Sequence, residues 1–168
     1  MRRNQPRKSS GLRRPDSIKT TEFYKVMWQR MNQLISYLTF NGNCREAMLF
    51  YQHCLGGELH LQTLGDVPVA EKLPPDFRHY ILHASLVKDD LVLMGTDMVG
   101  DDGLVKGNAV SILLECKSRE EMESCFGSLS KGGKATHAIE QTHWGALFGG
   151  LTDPFGYHWL LKYSSNHK

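Results

Sequence analysis

The sequence predicts an α+β protein built from two tandem βαβββ modules whose sheets curl around a shared cup. Three observations lead there. A helix-start string returns after 74 residues, as Arg45-Glu46-Ala47-Met48 and Arg119-Glu120-Glu121-Met122, and Leu55 is echoed by Leu129 at the same offset. A glycine pair follows each string, Gly56-Gly57 and Gly132-Gly133, the offset having grown to 76 through a two-residue insertion. Strand-like segments recur in the same order around both echoes. Neither half can bury its own helix and sheet faces well, so the two are expected to pair.

In the first module, residues 34–100, Leu34–Phe40 alternates and is rich in β-formers, the pattern of a strand. Asn43 followed by Glu46 reads as a capping box, in which both side chains satisfy orphan amides at a helix start. Ala47, Phe50, Tyr51, Cys54 and Leu55 then fall at i, i+3, i+4, i+7 and i+8, one helix face. Gly56-Gly57 stops this helix, because glycine adopts the left-handed cap without steric cost. Strands are expected at Glu58–Leu64, His79–Val87 and Leu91–Met94.

The second module, residues 107–163, repeats the order. Ala109–Cys116 reads as a strand, and Ser118 with Glu121 as the capping box. Met122, Cys125, Phe126 and Leu129 form the apolar helix face before Gly132-Gly133. Strands follow at Lys134–Gln141, Leu147–Leu151 and His158–Tyr163, with Trp159 alternating into the helix layer. Gly100, Gly103 and Gly107 mark the linker, and its Asp101-Asp102-Gly103 lacks the spaced ligands of a calcium loop. Pro68 to Asp76 reads as a loop bordering the cup, suited to a lid.

Charge is split along the chain. Residues 1–30 carry nine Lys/Arg against Asp16 and Glu22, and are expected to form a basic, disordered extension to a domain at 31–168. That extension is either an unfolded leader upstream of a start at Met31 or an anchor to an acidic surface. The remaining residues carry eleven Lys/Arg against sixteen Asp/Glu, an acidic body that argues against a nucleic-acid partner. No apolar run approaches the ~18–20 residues of a membrane-spanning helix, so no membrane partner is expected. Cys44, Cys54, Cys116 and Cys125 form neither a C-x-x-C pair nor a zinc spacing. With 40% hydrophobic residues the chain has no need of a disulfide framework, and a reduced, cytoplasmic protein is expected.

Several local strings carry a family resemblance: Tyr37-Leu38-Thr39-Phe40-Asn41-Gly42-Asn43, Leu55-Gly56-Gly57-Glu58, His83-Ala84-Ser85-Leu86, Trp144-Gly145-Ala146-Leu147-Phe148-Gly149 and Asp153-Pro154-Phe155-Gly156-Tyr157-His158-Trp159. With the tandem modules, they are similar to the PhnB-like branch of the vicinal oxygen chelate superfamily. That superfamily includes glyoxalase I, extradiol dioxygenases and bleomycin-resistance proteins, and the branch is often labelled 3-demethylubiquinone methyltransferase-like. The resemblance covers residues 34–163 and implies a glyoxalase-like fold, a curled mixed sheet around a cup, and a homodimer. The methyltransferase label gains no support from the residues, since no glycine-rich strand-to-helix turn of an adenosyl or dinucleotide site is present.

Metal-dependent members of the superfamily place one ligand on each of four strands, and the matching positions here are Ile35, His83, Ser111 and Leu160. Only His83 is chemically suited to a divalent ion, so neither metal nor other cofactor is expected. A slip of one residue would bring Tyr37, His79 or His158 toward His83 instead. By strand alternation His79, Ile81, His83 and Ser85 share one face. If that face lines the cup, His83 is a candidate general base, its unperturbed pKa being about 6.5; otherwise it is a neutral histidine hydrogen-bonded in a polar cavity. Tyr37, Ser85, Ser111 and Trp144 are the candidate ligand-binding residues around it. Trp144, on the loop 141–145, would stack on a flat ligand or pack against a partner subunit. His53, His60, His137, His143 and His167 are expected to face solvent.

These residues point to a small-molecule-binding protein of unassigned ligand, with room for a metal-independent activity at His83. A metal-dependent lyase, isomerase or dioxygenase-like enzyme is one alternative. A protein that only sequesters its ligand, in the manner of bleomycin resistance, is the other.

Overall fold

Alternating β-formers and two one-sided helices give eight strands and two helices in the computed structural model, which describes residues 34–165. The extension 1–30 and His167 lie outside the described residues. In chain order the elements are β1 (Ser36–Thr39), α1 (Cys44–Leu55), β2 (Glu58–Thr63), β3 (Ile81–Lys88), β4 (Leu91–Thr96), β5 (Ile112–Cys116), α2 (Arg119–Leu129), β6 (Lys134–Gln141), β7 (Leu147–Thr152) and β8 (His158–Tyr163). Short 3-10 turns fill the segment between β2 and β3, where the prolines lie.

Each βαβββ module makes its own four-stranded mixed sheet, ordered β1-β4-β3-β2 and β5-β8-β7-β6. The first strand of each module runs parallel to the last, and the other pairings are antiparallel. The repeat in sequence is therefore a repeat in topology.

The glycine pairs do the same two jobs in both modules. Gly56 and Gly132 take φ values of 74° and 81°, which favour glycine; Gly56 is the C-cap of α1, whereas α2 is capped by Ser130 and Gly132 turns the chain two residues later. Gly57 and Gly133 solve a different problem, a close backbone crossing. A Cβ at Gly57 would lie 2.6 Å from the Val87 carbonyl oxygen of β3, and one at Gly133 would lie 2.2 Å from that of Thr152 in β7.

Helix starts differ between the modules. In α2 the Ser118 half of the expected capping box forms, Oγ accepting from the Glu121 amide at 3.1 Å, while Glu121 Oε2 accepts from the amide of Lys117, one residue before the cap, at 2.7 Å. In α1 the expected cap is replaced. Asn43 holds the N-cap position but its side chain makes no capping bond. Asp97, just beyond β4, supplies the acceptor instead, its Oδ1 bonding the amides of Gly42 and Cys44 at 2.9 Å each. The other oxygen accepts from the Ile81 amide at 2.9 Å, so one buried carboxylate starts both α1 and β3. This also explains why β3 begins at Ile81 rather than at His79. Residues 75–80 are tied into turns, with Arg78 donating to Pro75 and Tyr80 to Phe77.

From Ile35 onward the described residues form one unit with a continuous core between the helices and the sheets. On α1 the buried face is Cys44, Ala47, Met48, Tyr51 and Leu55, with Phe50 and Cys54 at its margin. Gly95 of β4 lets α1 approach closely, since a Cβ there would meet Cys44 Sγ and Met48 Sδ at 3.1 Å each. Trp159 is buried on the helix side, as its alternation predicts, and its indole donates to Asp153 Oδ2 at 2.8 Å.

Two glycines of the second module should respond oppositely to alanine. Gly127 lies within α2 with open space where a Cβ would go, so Gly127→Ala should stabilise by about 0.5–1 kcal/mol through lower unfolded-state entropy. Gly133→Ala must displace backbone and should lower stability by more than about 1 kcal/mol. Urea unfolding of the two variants beside the parent chain reads both signs.

Candidate functional site

Because successive side chains on a strand point to opposite faces, the residues between the core positions of β1, β2, β3 and β4 form the face turned away from the helices. Register aligns them into a row across all four strands. Tyr37 of β1 lies beside Met94 of β4, Met94 opposite Ser85 of β3, and Ser85 opposite His60 of β2. Thr39 lies beside Thr96, and Gln62 opposite His83, on the same face. The Tyr37 and His83 rings approach with centroids 6.0 Å apart and a tilt of 34°.

The polar groups on this face differ in how they are satisfied. Thr96 Oγ1 donates to the Leu82 carbonyl at 2.9 Å and accepts from the Met98 amide at 3.0 Å, so it is occupied by its own sheet. Glu58 Oε1 lies 3.3 Å from His60 Nε2. Ser85 is wholly buried, and its Oγ has no hydrogen-bond partner among the described residues. A buried hydroxyl without a partner costs about 1–3 kcal/mol, which singles this position out on the face. Burial pushes the pKa of His83 below its ordinary value, so at neutral pH its imidazole is uncharged and both donates and accepts.

Three of the five candidate ligand residues thus come together: Tyr37, His83 and Ser85. Ser111 and Trp144 belong to the second module. Ser111 is exposed just before β5, and Trp144 is 66% exposed in the β6–β7 turn, edge-on to His143 with centroids 4.2 Å apart. The outer face of the second sheet differs in chemistry from the first. It aligns Leu113, Leu160 and Gly150 in one row, and Glu115, Lys162 and Phe148 in the next. Lys162 Nζ meets Glu115 Oε1 at 3.0 Å, and Leu113 is 55% exposed.

Two histidine assignments change. His79 leaves the expected His79–Ser85 face, because β3 begins after it and a bulge between Gln62 and Thr63 shifts the register; it is exposed and packs on Tyr80. His60, expected in solvent, is half-buried on the candidate face. The alternation of β2 places His60 with Glu58 and Gln62, but only the pairing of β2 with β3 puts that set beside Ser85. His53, His137 and His143 are exposed as expected.

The donor set does not fit a metal of the kind the fold's metal-dependent relatives hold. Ile35 and Leu160 offer no ligating atom, and Ser111 is a poor donor. Among the described residues, no group of three or more His, Cys, Asp or Glu side chains is placed to hold an ion. His158, the alternative near neighbour, pairs its Nδ1 with Thr152 Oγ1 at 2.9 Å on the second sheet. The thiols are not nucleophiles at neutral pH. Burial, aided by the Asp97 carboxylate, pushes Cys44 up to about 12, and burial raises Cys54 to about 11, Cys116 to about 12 and Cys125 as well.

The sequence profile of a family described as 3-demethylubiquinone-9 3-methyltransferase matches residues 32–162. Protein YjdN of Escherichia coli K12 is 30% identical over 139 residues, spanning 77% of this chain and 93% of its own. The crystal structure of PA1353 from Pseudomonas aeruginosa is 37% identical, with a TM-score of 0.69 over 80% of this chain and 98% of its own. The PhnB protein of Bacillus cereus superposes with a TM-score of 0.62 at 20% identity, over 79% of this chain and all of its own. Solved proteins of the glyoxalase/bleomycin resistance protein/dioxygenase superfamily share the fold at 10 and 19% identity, a likeness of fold alone.

His83 gives the site a pH signature. Its folded pKa is depressed, so between the ordinary value of about 6.5 and the lower folded value the unfolded chain binds the extra proton. Its stabilising contribution is therefore fully present above about pH 6.5 and is lost as pH falls through the folded pKa. The expected outcome is that His83→Gln loses less stability than the parent between pH 7 and pH 5, as read from denaturant midpoints.

Proposed function

The chain belongs to the 3-demethylubiquinone-9 3-methyltransferase family, PhnB-like proteins of the glyoxalase/bleomycin resistance/dioxygenase superfamily, and we propose that it binds a small oxygen-bearing organic molecule on the polar face of its first sheet. The observation that carries this reading is the buried, unpartnered Ser85 hydroxyl in one row with Tyr37 and beside His83. A carbonyl or hydroxyl oxygen of the ligand would take the Ser85 bond. The neutral His83 imidazole would donate to a second oxygen or accept a proton from it. Tyr37, half exposed, and Met94 would flank the apolar part of the molecule.

Metal chemistry has no part in this reading, because the donor set does not fit an ion. Methyl transfer has none either. The glycine pairs follow helices rather than precede them, so neither builds the phosphate-binding turn of an adenosyl cofactor site. Ser111 and Trp144 enter through a homodimer. The exposed Leu113 and Trp144 of the second module are surface that a second copy would cover, bringing second-module residues of one copy to the first sheet of the other. The four free thiols suit a reducing cytoplasm, and among the described residues no helix is long and apolar enough to cross a membrane.

Screening the purified full chain by thermal shift against small carbonyl and hydroxy compounds tests the proposal. A true ligand at about 100 times its Kd adds about 2.7 kcal/mol to the parent. It should add markedly less to His83→Ala and Ser85→Ala. Equal stabilisation of all three chains would remove the site from this face. Turnover of the ligand separates a metal-independent enzyme from a sequestering protein. One equivalent of metal that chelator removes and that restores function on return would replace this reading by the metal-dependent alternative.

Oligomeric state is a separate expectation. Sedimentation at micromolar concentration should give a particle of twice the 19.1 kDa chain, and a species of single-chain mass alone would sink the homodimer.

A further inference from the structure

A concavity lies between the helices, and none of its lining residues belongs to the sheet face that carries Ser85 and His83. Glu46, Phe50 and His53 recur along one stripe of α1 and face Ser128 and Lys131 at the end of α2, with Phe155 closing one side. The cavity measures about 700 Å³, within the range of small-molecule sites. Its floor is apolar and firmly set. Phe50 and Phe155 meet at a centroid distance of 5.5 Å and a tilt of 64°, and Phe155 also packs on Tyr51 at 5.9 Å and Phe40 at 6.3 Å.

The walls carry charge of both signs. Glu46 lies on α1 and Lys131 just past α2, and neither has an ion pair or side-chain hydrogen bond among the described residues. An anion in this groove would meet Lys131 but leave Glu46 opposed to it. A cation would meet Glu46 but oppose Lys131. A molecule with both charges and an aromatic body satisfies the walls and the floor together. We propose that this inter-helix groove is a second binding site, for a zwitterionic aromatic amino acid, with its ring on Phe50 and Phe155, its ammonium toward Glu46 and its carboxylate toward Lys131. Since α1 comes from the first module and α2 from the second, the occupant bridges the two. His53, at the other end of the stripe, adds a further polar contact at the rim.

The probes are L-tryptophan, tryptamine, which lacks the carboxylate, and indole-3-propionate, which lacks the ammonium. Each is titrated into the full-length, 15N-labelled chain. L-Tryptophan should shift the amides of Ser128 and Lys131 and bind about fivefold more tightly than either analogue, the scale of one exposed charge contact. Lys131→Glu should erase its advantage over tryptamine, and Glu46→Gln its advantage over indole-3-propionate. His83→Ala should leave all three affinities unchanged, which separates this site from the one on the first sheet. Both charged residues are exposed, so the variants should melt as the parent does. The proposal is overturned if L-tryptophan fails to bind by about 10 mM, the weak limit of a specific site. Equal affinity for the three probes, indifference to both substitutions, or shifts confined to the Tyr37–His83 face would overturn it equally.

Discussion

The Asp153 carboxylate holds the two modules together. It is 2% exposed and accepts four hydrogen bonds: Tyr51 Oη of α1 at 2.6 Å, Trp159 Nε1 of β8 at 2.8 Å, and the Phe155 and Tyr157 amides at 2.9 Å each. A buried carboxylate is tolerated only when its oxygens are fully bonded, and here they are. The bond from Tyr51 crosses 102 residues of sequence, from the helix of one module to a turn of the other. Burial, with the nearby Asp153 charge, raises the Tyr51 pKa far above the ordinary tyrosine range, so the hydroxyl remains a donor. Around this centre Phe40, Phe50, Phe155 and Tyr157 pack edge to face, Trp159 lies tilted against Tyr51, and the Tyr157 hydroxyl donates to the Thr39 carbonyl of β1.

With α1 locked to the second module in this way, each sheet keeps one face against the core and one face away from the helices. The two modules have kept their backbone logic and diverged in that face. Both use one positive-φ glycine to turn the chain after the helix and the next for a backbone crossing, and both order their strands identically. The first sheet's face carries Tyr37, His60, Gln62 and His83 around the buried Ser85 hydroxyl, with Glu58 at its edge; the second presents leucines and a Lys162–Glu115 pair.

Family membership constrains the fold far more than the chemistry. The family's descriptive name speaks of methyl transfer, whereas the residues offer a hydroxyl, an uncharged imidazole and a phenol on a strand face. The four thiols, their pKa values raised by burial, belong to the core or its margin rather than to this face.

The tandem βαβββ plan, both helices, the burial of Trp159 and the shared strand face of His83 and Ser85 were legible in the sequence. Each follows from a pattern that acts over a few residues: a period near 3.6, a period of two, a glycine where the backbone needs one. Tertiary structure alone decided the rest. Asp97 displaced Asn43 as the cap of α1 across 53 residues, the bulge at Gln62/Thr63 removed His79 from the face that carries His83, and strand pairing brought His60 beside Ser85. No local pattern encodes these outcomes, because a hydrogen bond between distant segments and the register of one strand on another depend on how the finished sheets and helices pack.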